Sequence, residues 1–221
     1  MKIAVWGTGD VGRTVGGKLI ELGHEVCIGA RSSDNPTAAR WVAEHGALAS
    51  QGTFAEAAGR ADVIVNCSSG LHSVAIVESL DAGRLDGKLL VDISNPLDFS
   101  QGFPPSLSIC NDDSLAEAIQ RAAPGAKVVK ALNTMWNGLM VDPRQLPERH
   151  TTFICGNDTE AKDRVRALLG SFGWYEDEIF DLGELSQARG VEMWLPLWVR
   201  IYAKSGTARF NLKLVFADAD T

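Results

Sequence analysis

The stretch "KIAVWGTGDVGRTVGGKLIELGHEVCIGARSS", residues 2–33, decides the fold. An apolar run leads directly into Gly7, Gly9 and Gly12, which form the pattern G-x-G-x-x-G. A helix-like segment and a second apolar run follow within the length of one βαβ unit, which is the context that this pattern requires. The first glycine permits a tight turn, the second lets the backbone approach a pyrophosphate, and the third allows close helix–strand packing. The stretch therefore predicts a dinucleotide-binding turn.

The residues after the second apolar run distinguish between two dinucleotides. NAD enzymes usually place an Asp or Glu there, which bonds the ribose hydroxyls. Here Ala30 takes that place and is followed by Arg31, Ser32 and Ser33. A guanidinium and hydroxyls bond a 2′-phosphate, whereas a carboxylate repels it. We therefore expect NADP(H) as the cofactor; the competing interpretation of Arg31 is a solvated loop charge.

Beyond this stretch, short apolar runs rich in Val and Ile alternate with helix-like segments, which predicts a parallel sheet covered on both faces. The expected strands are residues 3–7, 25–29, 47–49, 63–67, 89–93, 127–132 and 152–155. A final helix is expected over roughly 184–203, with a kink at Pro196. Residues 209–215 are expected to form a short strand or an extended tail. We therefore expect an α/β fold, with a Rossmann-type doubly wound sheet over residues 1–150 and a small α/β extension over 151–221.

The composition is typical of a soluble globular protein. The chain has 221 residues, a formal net charge of −7 and 45% hydrophobic residues, which suits one large domain or one domain with a small appendage. The acidic balance argues against a general nucleic-acid or anionic-membrane binder. Met1 leads directly into an expected strand, and the four cysteines form no C-x-x-C pair. We therefore expect no targeting peptide, reduced thiols and a cytoplasmic location.

Several further blocks of the chain resemble one known family. Beside "GTGDVG" and "IGARS", these blocks are "PGAKVVKALNT" (124–134), "FICGNDTEAK" (153–162) and "DLGELSQARGVEMWLPL" (181–197). The last block is the most specific, with six residues at the spacing of that family: Leu185, Ser186, Arg189, Val191, Glu192 and Pro196. Over nearly its whole length the sequence is similar to NADP-linked oxidoreductases that depend on coenzyme F420, a deazaflavin. Its amino-terminal portion is also similar to the cytosolic domain of membrane ferric reductases.

The resemblance implies a cofactor geometry that agrees with ligand binding beyond the carboxyl ends of parallel strands. The residues implied at the pyrophosphate are Gly7, Thr8, Gly9, Asp10, Val11 and Gly12. Arg31 and Ser32 are implied at the 2′-phosphate. The residues implied along the rest of the dinucleotide are Ser68, Ser69, Gly70, Asn95, Pro96 and Asn133, the last near the nicotinamide together with Thr134.

The resemblance also implies a reaction, namely hydride transfer between NADPH and a deazaflavin or another small planar acceptor. The cofactors supply this chemistry and the protein orients them. The sequence contains no H-E-x-x-H motif, no G-x-S-x-G motif and no cluster of metal ligands, so we expect no metal. One alternative acceptor is a flavin or a ferric chelate, and another is an imine or carbonyl, which would need a proton donor. A non-catalytic NADP(H)-binding sensor is a further alternative.

Two residues are candidate proton donors for such an imine or carbonyl. Lys130 lies within the apolar run 127–132, where a lysine either pairs with a carboxylate, lines the site or acts as the acid. His72 follows Gly70 at an expected helix start, where it is either a surface or capping residue or lies beside the nicotinamide.

Aromatic residues suggest where the acceptor binds. Trp136, Trp194 and Trp198 are candidate walls of an acceptor pocket, because flat rings suit planar ligands, and Met135 is a further candidate. Trp194 and Trp198 are four residues apart on one helical face, so a core or subunit-interface role is the competing interpretation. We expect residues 151–221 to complete the acceptor site and to form the interface of a homodimer. We expect neither nucleic acid nor membrane as a partner.

Overall fold

The computed structural model describes residues 1–217, in which strands and helices alternate. The strands are β1 (Lys2–Trp6), β2 (Glu25–Ala30), β3 (Ala49–Thr53), β4 (Val63–Asn66), β5 (Leu89–Asp92), β6 (Leu97–Asp98), β7 (Ser106–Leu107), β8 (Lys127–Ala131), β9 (Thr152–Gly156) and β10 (Ile179–Asp181). The helices are α1 (Asp10–Glu21), α2 (Pro36–His45), α3 (Phe54–Arg60), α4 (Gly70–Glu78), α5 (Leu115–Ala122), α6 (Asn137–Val141), α7 (Thr159–Ser171), α8 (Ala188–Met193) and α9 (Leu195–Ser205). None of these helices is long and apolar enough to cross a membrane.

Eight of the strands form one sheet in the order β10-β9-β8-β5-β4-β1-β2-β3, and β6 and β7 form a separate antiparallel pair. The strand order reverses at β1, which pairs in parallel with β2 on one side and with β4 on the other. This reversal is the switch point beyond which open α/β sheets bind ligands. The Rossmann-type doubly wound sheet expected from the sequence is therefore confirmed.

The sheet is not parallel throughout, because β9 runs antiparallel to β8. The connection between them contains α6, which has only five residues and is therefore about 7.5 Å long. Such a helix is too short to carry the chain back along the length of β8, as a parallel crossover requires. Strand β10 then pairs in parallel with β9, so residues beyond 150 extend the same sheet.

Two local expectations differ from the structure, those for residues 47–49 and for the final helix, and a third is settled between its two alternatives. Residues 46–48 form a 3-10 turn, and the strand expected at 47–49 instead begins at Ala49. Strand β3 was hard to recognise because it lies at the sheet edge and reads "ASQGT", without an apolar run. The expected final helix is divided at Trp194 into α8 and α9, and Pro196 lies in the first turn of α9, where a proline is tolerated. Residues 209–215 form no strand and run as an extended tail, while residues 218–221 of the expected extension lie outside the described residues.

The glycines inside α1 have a packing role. A methyl group added at Gly16 would lie 2.8 Å from the ring of Trp41, and one added at Gly17 would lie 3.0 Å from His45. Trp41 is buried and anchors α2 to the core through its Nε1, which donates to the Arg13 carbonyl at 3.2 Å. The two glycines therefore bring α2 close to α1, which offsets their cost in the helix.

Candidate functional site

The glycine turn has the shape that its sequence predicts. Gly7 has a φ of +111°, in the left-handed region that favours glycine. A methyl group at Gly12 would lie 2.0 Å from the Gly7 carbonyl oxygen, whereas one at Gly9 would meet nothing within 4 Å. The Gly9 position is therefore open toward the groove, and α1 begins at Asp10 without a side-chain cap. Its first backbone N–H groups are available to an anion.

A cavity of about 360 Å³ opens beside this turn, and we call it the Arg31 cavity. Its walls include Gly7, Thr8 and Gly9 from the turn and Arg31 from the end of β2. Ser32 does not line it, because its hydroxyl donates to the carboxylate of Asp34. That hydrogen bond lowers the pKa of Asp34. The cavity thus offers a guanidinium and backbone donors to an anionic ligand, with one carboxylate nearby in sequence.

A second cavity of about 320 Å³, the Asn133 cavity, lies beyond the ends of β4, β5 and β8. Both cavities are lined by Cys67, Ser68 and Ser69, so they are the two ends of one groove. The further residues of the Asn133 cavity that were expected from the sequence are Val11, Gly70, Asn95, Asn133 and Met135. Pro96 is buried and lines neither cavity, and its carbonyl accepts a hydrogen bond from the Ser108 N–H at 2.8 Å.

Two asparagine side chains join neighbouring strand ends at the floor of this second cavity. Asn133 Nδ2 donates to Asn95 Oδ1 at 2.9 Å, and Asn95 Nδ2 donates to the Asn133 carbonyl at 2.9 Å. Asn133 Nδ2 also donates to the Val191 carbonyl of α8 at 3.1 Å. Amide groups are therefore held at the point where the groove meets the carboxy-terminal helices.

Comparison with known proteins identifies the family of this chain. The family model described as NADP oxidoreductase, coenzyme F420-dependent, matches residues 2–96. A solved protein of Arthrobacter sp. FB24, described as a candidate F420-dependent NADP-reductase, is 47% identical, with a TM-score of 0.91 over 98% of this chain and 100% of that chain. This chain belongs to the coenzyme F420-dependent NADP oxidoreductases.

Two curated relatives show how much of the chain, and of their own length, the similarity covers. The F420-dependent NADP reductase of Methanothermobacter marburgensis is 29% identical over 97% of this chain and 98% of its own length. The metalloreductase STEAP3 of Rattus norvegicus is 31% identical over 89% of this chain. The chain spans only 38% of the length of that metalloreductase. The family assignment confirms the expectation of an NADP-linked oxidoreductase with NADP(H) as its cofactor.

In this NADP oxidoreductase, Lys130 is a buried ion-pair partner and lines neither cavity. Its Nζ lies 2.7 Å from Asp92 Oδ2 and 2.7 Å from Glu192 Oε1, and donates to the Ser94 carbonyl at 2.5 Å. Burial opposes the charge, but the two carboxylates outweigh it and raise the pKa of Lys130. The structure therefore favours the interpretation of Lys130 as the partner of a carboxylate over its interpretation as a proton donor, because the ammonium is enclosed and firmly held.

The most specific family block, residues 181–197, docks α8 onto α5. Glu192 accepts hydrogen bonds from the N–H groups of Leu115 at 2.8 Å and Ala116 at 3.1 Å, at the start of α5. Arg189 forms a two-pronged pair with Glu117, at 2.8 and 2.7 Å. Glu192 thus caps a helix that lies 77 residues away in sequence.

Lys130, Asp92 and Glu192 form a buried triad, and hydrogen-bonded polar side chains connect this triad with the groove. Asn66 Nδ2 donates to Asp92 Oδ1 at 2.9 Å, and Asn66 Oδ1 accepts from the Ser68 hydroxyl at 2.7 Å. The adjacent Cys67 has a thiol whose pKa is raised by burial and by the charge of Asp92, so it stays protonated and is a poor nucleophile. The groove floor and α8 are therefore held by one hydrogen-bonded network.

The remaining candidates divide between the two cavities. His72 lines the Arg31 cavity and not the Asn133 cavity, so it does not lie beside the position expected for the nicotinamide. Met135 lines the Asn133 cavity, but Trp136 and Trp194 do not. Trp194 Nε1 instead donates to the Thr134 carbonyl at 3.2 Å.

Trp198 lines the Asn133 cavity and is one of the aromatic walls expected from the sequence. Sequence reasoning missed other walls of this cavity, which include Leu71, Phe99 and Leu195. Leu71 follows directly on Gly70, which was recognised, and that adjacency is a usable signal. Phe99 and Leu195 have no such signal, because nothing in their local sequence distinguishes a cavity wall from a core position.

Proposed function

We propose that this chain transfers a hydride between NADPH and a deazaflavin of the F420 type, with NADPH along the groove and the acceptor in the Asn133 cavity. One observation carries the proposal: a cavity with a guanidinium continues, through Ser68 and Ser69, into a cavity lined by apolar and neutral polar side chains. The first end suits a phosphorylated adenosine and the second suits flat uncharged rings.

The Arg31 cavity would bind NADPH through backbone N–H groups together with the guanidinium of Arg31. The free N–H groups at the start of α1 would bind the pyrophosphate above the open Gly9 position. Arg31 would bond the 2′-phosphate, and Ser32 would turn from Asp34 to the same group. This arrangement favours NADPH over NADH, which lacks that phosphate.

The nicotinamide end would be oriented by amides. Asn95 and Asn133 lie side by side at the ends of β5 and β8 and would hold the carboxamide of the nicotinamide. Bound NADPH would supply the hydride, and these residues would orient its nicotinamide toward the apolar part of the Asn133 cavity, at a short distance from the acceptor.

The lining of the Asn133 cavity favours a deazaflavin or flavin ring over an imine or carbonyl. Among residues 1–217, no Asp, Glu, Lys, Arg or His lines that cavity. A carbonyl or imine would need a protein acid, and both candidates are placed elsewhere, Lys130 in the buried triad and His72 at the Arg31 cavity. A deazaflavin can take its accompanying proton from solvent.

The test is a spectroscopic assay with NADPH and the oxidised deazaflavin. We expect the visible absorbance of the deazaflavin to be bleached with NADPH and far more slowly with NADH. Arg31→Ala should raise the KM for NADPH about 10- to 100-fold, because it removes charged hydrogen bonds, and leave the KM for NADH unchanged. Tight NADPH binding without bleaching would contradict the acceptor, and equal effects on both dinucleotides would contradict the role of Arg31.

A ferric chelate is the second candidate acceptor, favoured by the similarity to the metalloreductase STEAP3. The same assay with a ferric chelate, with and without added flavin, distinguishes it from the deazaflavin. A non-catalytic sensor would bind NADPH and oxidise it with none of these acceptors.

We also propose a homodimer formed through α8 and α9, in a reducing compartment such as the cytoplasm. Met193, Leu197 and Tyr202 expose apolar surface on these helices, and the four cysteines are free thiols. Sedimentation should give a dimer mass, and Leu197→Glu should give a monomer. A monomeric wild-type protein would contradict the proposal.

A further inference from the structure

The wall of the Asn133 cavity at Trp198 is supported from behind by the end of the chain. Residues 206–217, which we call the strap, follow α9 and run back over the molecule. Phe210 of the strap stacks on Trp198, with ring centres 5.3 Å apart and planes at 22°. Tyr202 of α9 also stacks on Trp198, at 5.7 Å and 10°. Trp198 is therefore clamped by one ring from its own helix and one from the strap.

The hydrogen bonds of the strap go to one short segment that precedes β9, while Phe216 of the strap stacks on Phe180 of β10 with ring centres 5.9 Å apart. The Leu212 carbonyl accepts from the Thr151 N–H at 2.8 Å, and the Leu214 N–H donates to Thr151 Oγ1 at 3.1 Å. Asn211 Nδ2 donates to the Thr151 carbonyl at 3.0 Å and to His150 Nδ1 at 2.7 Å. These few hydrogen bonds hold the segment that carries Phe210.

His150 is a fixed acceptor for this attachment. It is buried, and its Nε2 lies 2.9 Å from the Pro143 carbonyl. A carbonyl can only accept, so Nε2 carries the proton and Nδ1 is left to accept from Asn211. The attachment point is therefore preorganised by the body of the protein.

The docked strap carries an internal cost. Among residues 1–217, Trp198 Nε1 and Asn211 Oδ1 are buried without a hydrogen-bond partner, and a buried unpaired polar atom opposes the arrangement that buries it. The strap gains little burial in return, since residues 213–217 are exposed. Segments with few buried contacts open most readily, so we expect the strap to be the part of this wall that opens first.

We propose that Phe210 is a positioning residue for the acceptor: the docked strap holds the Trp198 ring in the wall of the Asn133 cavity, and release of the strap loosens that wall. This inference rests on the proposed function in one respect, that the Asn133 cavity receives the acceptor. Phe210 itself does not line the cavity and acts through Trp198.

The kinetic test compares Phe210→Ala with Phe210→Tyr. Loss of the ring should raise the KM for the deazaflavin about 3- to 10-fold, the range of an aromatic pair, and leave the KM for NADPH unchanged. Phe210→Tyr keeps a stacking ring and should restore the wild-type value. Equal changes in both KM values, or no recovery with Tyr, would overturn the proposal.

A second measurement needs no turnover and so separates this inference from the proposed acceptor. Amide hydrogen exchange with NADP+ bound should be faster at residues 148–152 and 195–205 in Asn211→Ala than in the wild type. Lys213→Ala is the matched control, because it removes only an exposed ion pair with Glu148 at 3.0 Å and should leave exchange unchanged. Unchanged exchange in Asn211→Ala would overturn the proposal, whatever acceptor the protein uses.

Discussion

The Arg31 cavity and the Asn133 cavity differ in how their walls are drawn from the chain. The walls of the Arg31 cavity lie between Gly7 and Ile76, in the continuous segment that runs from the end of β1 to α4. The walls of the Asn133 cavity extend from Val11 to Trp198 and come from strand ends and from α9. One end of the groove is therefore a local structure, whereas the other exists only when distant segments have packed.

The difference teaches which kind of site a sequence exposes. The Arg31 cavity depends on backbone geometry, and glycines at fixed spacing predict that geometry. The Asn133 cavity depends on apolar side chains such as Leu195, which are the same residue types that fill a core. Its chemistry is consequently invisible until the helices are placed.

The largest effect is expected from a substitution in the buried triad, because the triad supports both cavities. Lys130→Met leaves Asp92 and Glu192 buried without their cation, and we expect a loss of about 3–5 kcal/mol in the free energy of unfolding. Urea unfolding measures it. Lys127→Met, on the same strand, removes a partly exposed pair with Asp158 at 3.1 Å and should cost less than about 1 kcal/mol.

The pH dependence of this effect follows from the raised pKa of Lys130. A group whose pKa is raised on folding stabilises fully below its unfolded pKa, about 10.4 for lysine, and loses that contribution only as the pH rises through the folded value. The contribution of Lys130 to the stability of the wild type should therefore stay constant between about pH 6 and 9. In Lys130→Met the two buried carboxylates have lost their cation and can take up a proton as the pH falls, so the difference between the two proteins should be largest near pH 9 and smaller near pH 6. A difference that grows as the pH falls would contradict the assignment of the triad.

The next largest effect is expected from a substitution that disturbs only the Arg31 cavity. Gly12→Ala places a methyl group 2.0 Å from the Gly7 carbonyl oxygen and should cost about 1–3 kcal/mol of stability, together with NADPH binding. Gly9→Ala meets nothing within 4 Å, so it should fold nearly as well and still bind NADPH weakly. Thermal unfolding and NADPH titration of both variants distinguish packing from ligand approach.

A smaller effect is expected from a substitution that disturbs only the Asn133 cavity. Leu71 is 48% exposed and lines the Asn133 cavity, so Leu71→Ser should scarcely change stability. It should raise the KM for the acceptor about fivefold, equivalent to about 1 kcal/mol of lost apolar contact, with the KM for NADPH unchanged. Leu22→Ser, at a leucine that is 37% exposed and lines neither cavity, should change neither constant.

The smallest effect is expected on the selectivity of the Arg31 cavity for NADPH over NADH. Asp34→Asn removes a carboxylate that holds the Ser32 hydroxyl, and NADPH affinity should rise a few fold while NADH affinity stays the same. The gain should shrink at high salt, because the site is exposed to solvent. Since the pKa of Asp34 is lowered, its charge is complete above about pH 5, and the gain should not vary from there to pH 8.

Much of the fold and of the cofactor region could be predicted because each signal was local. The strands near the glycine turn, the open Gly9 position and the placement of Arg31 all follow from short segments. The antiparallel pairing of β9 could not be predicted, because it depends on how short α6 is. The sequence also could not identify which carboxylates pair with Lys130, since Asp92 and Glu192 lie 38 and 62 residues away in sequence.

The tryptophans show that a shared helical face does not decide which ring lines a cavity. Trp194 and Trp198 are one helical turn apart, as the sequence indicates, and the Trp198 N–H donates to the Trp194 carbonyl at 3.1 Å. Trp194 Nε1 nevertheless bonds the Thr134 carbonyl, whereas Trp198 lines the Asn133 cavity. The spacing could not predict this difference, because it depends on the segments that pack against each ring.

The cap that Glu192 places on α5 has a consequence for where the chain can be divided. A chain cut at residue 150 would lose that carboxylate, which would uncap α5 and leave Lys130 facing Asp92 alone. It would also turn β8, now paired with β9, into an open sheet edge. We therefore expect that residues 1–150 do not fold on their own, and that transplanting them into another protein would require residues up to α8 to travel with them.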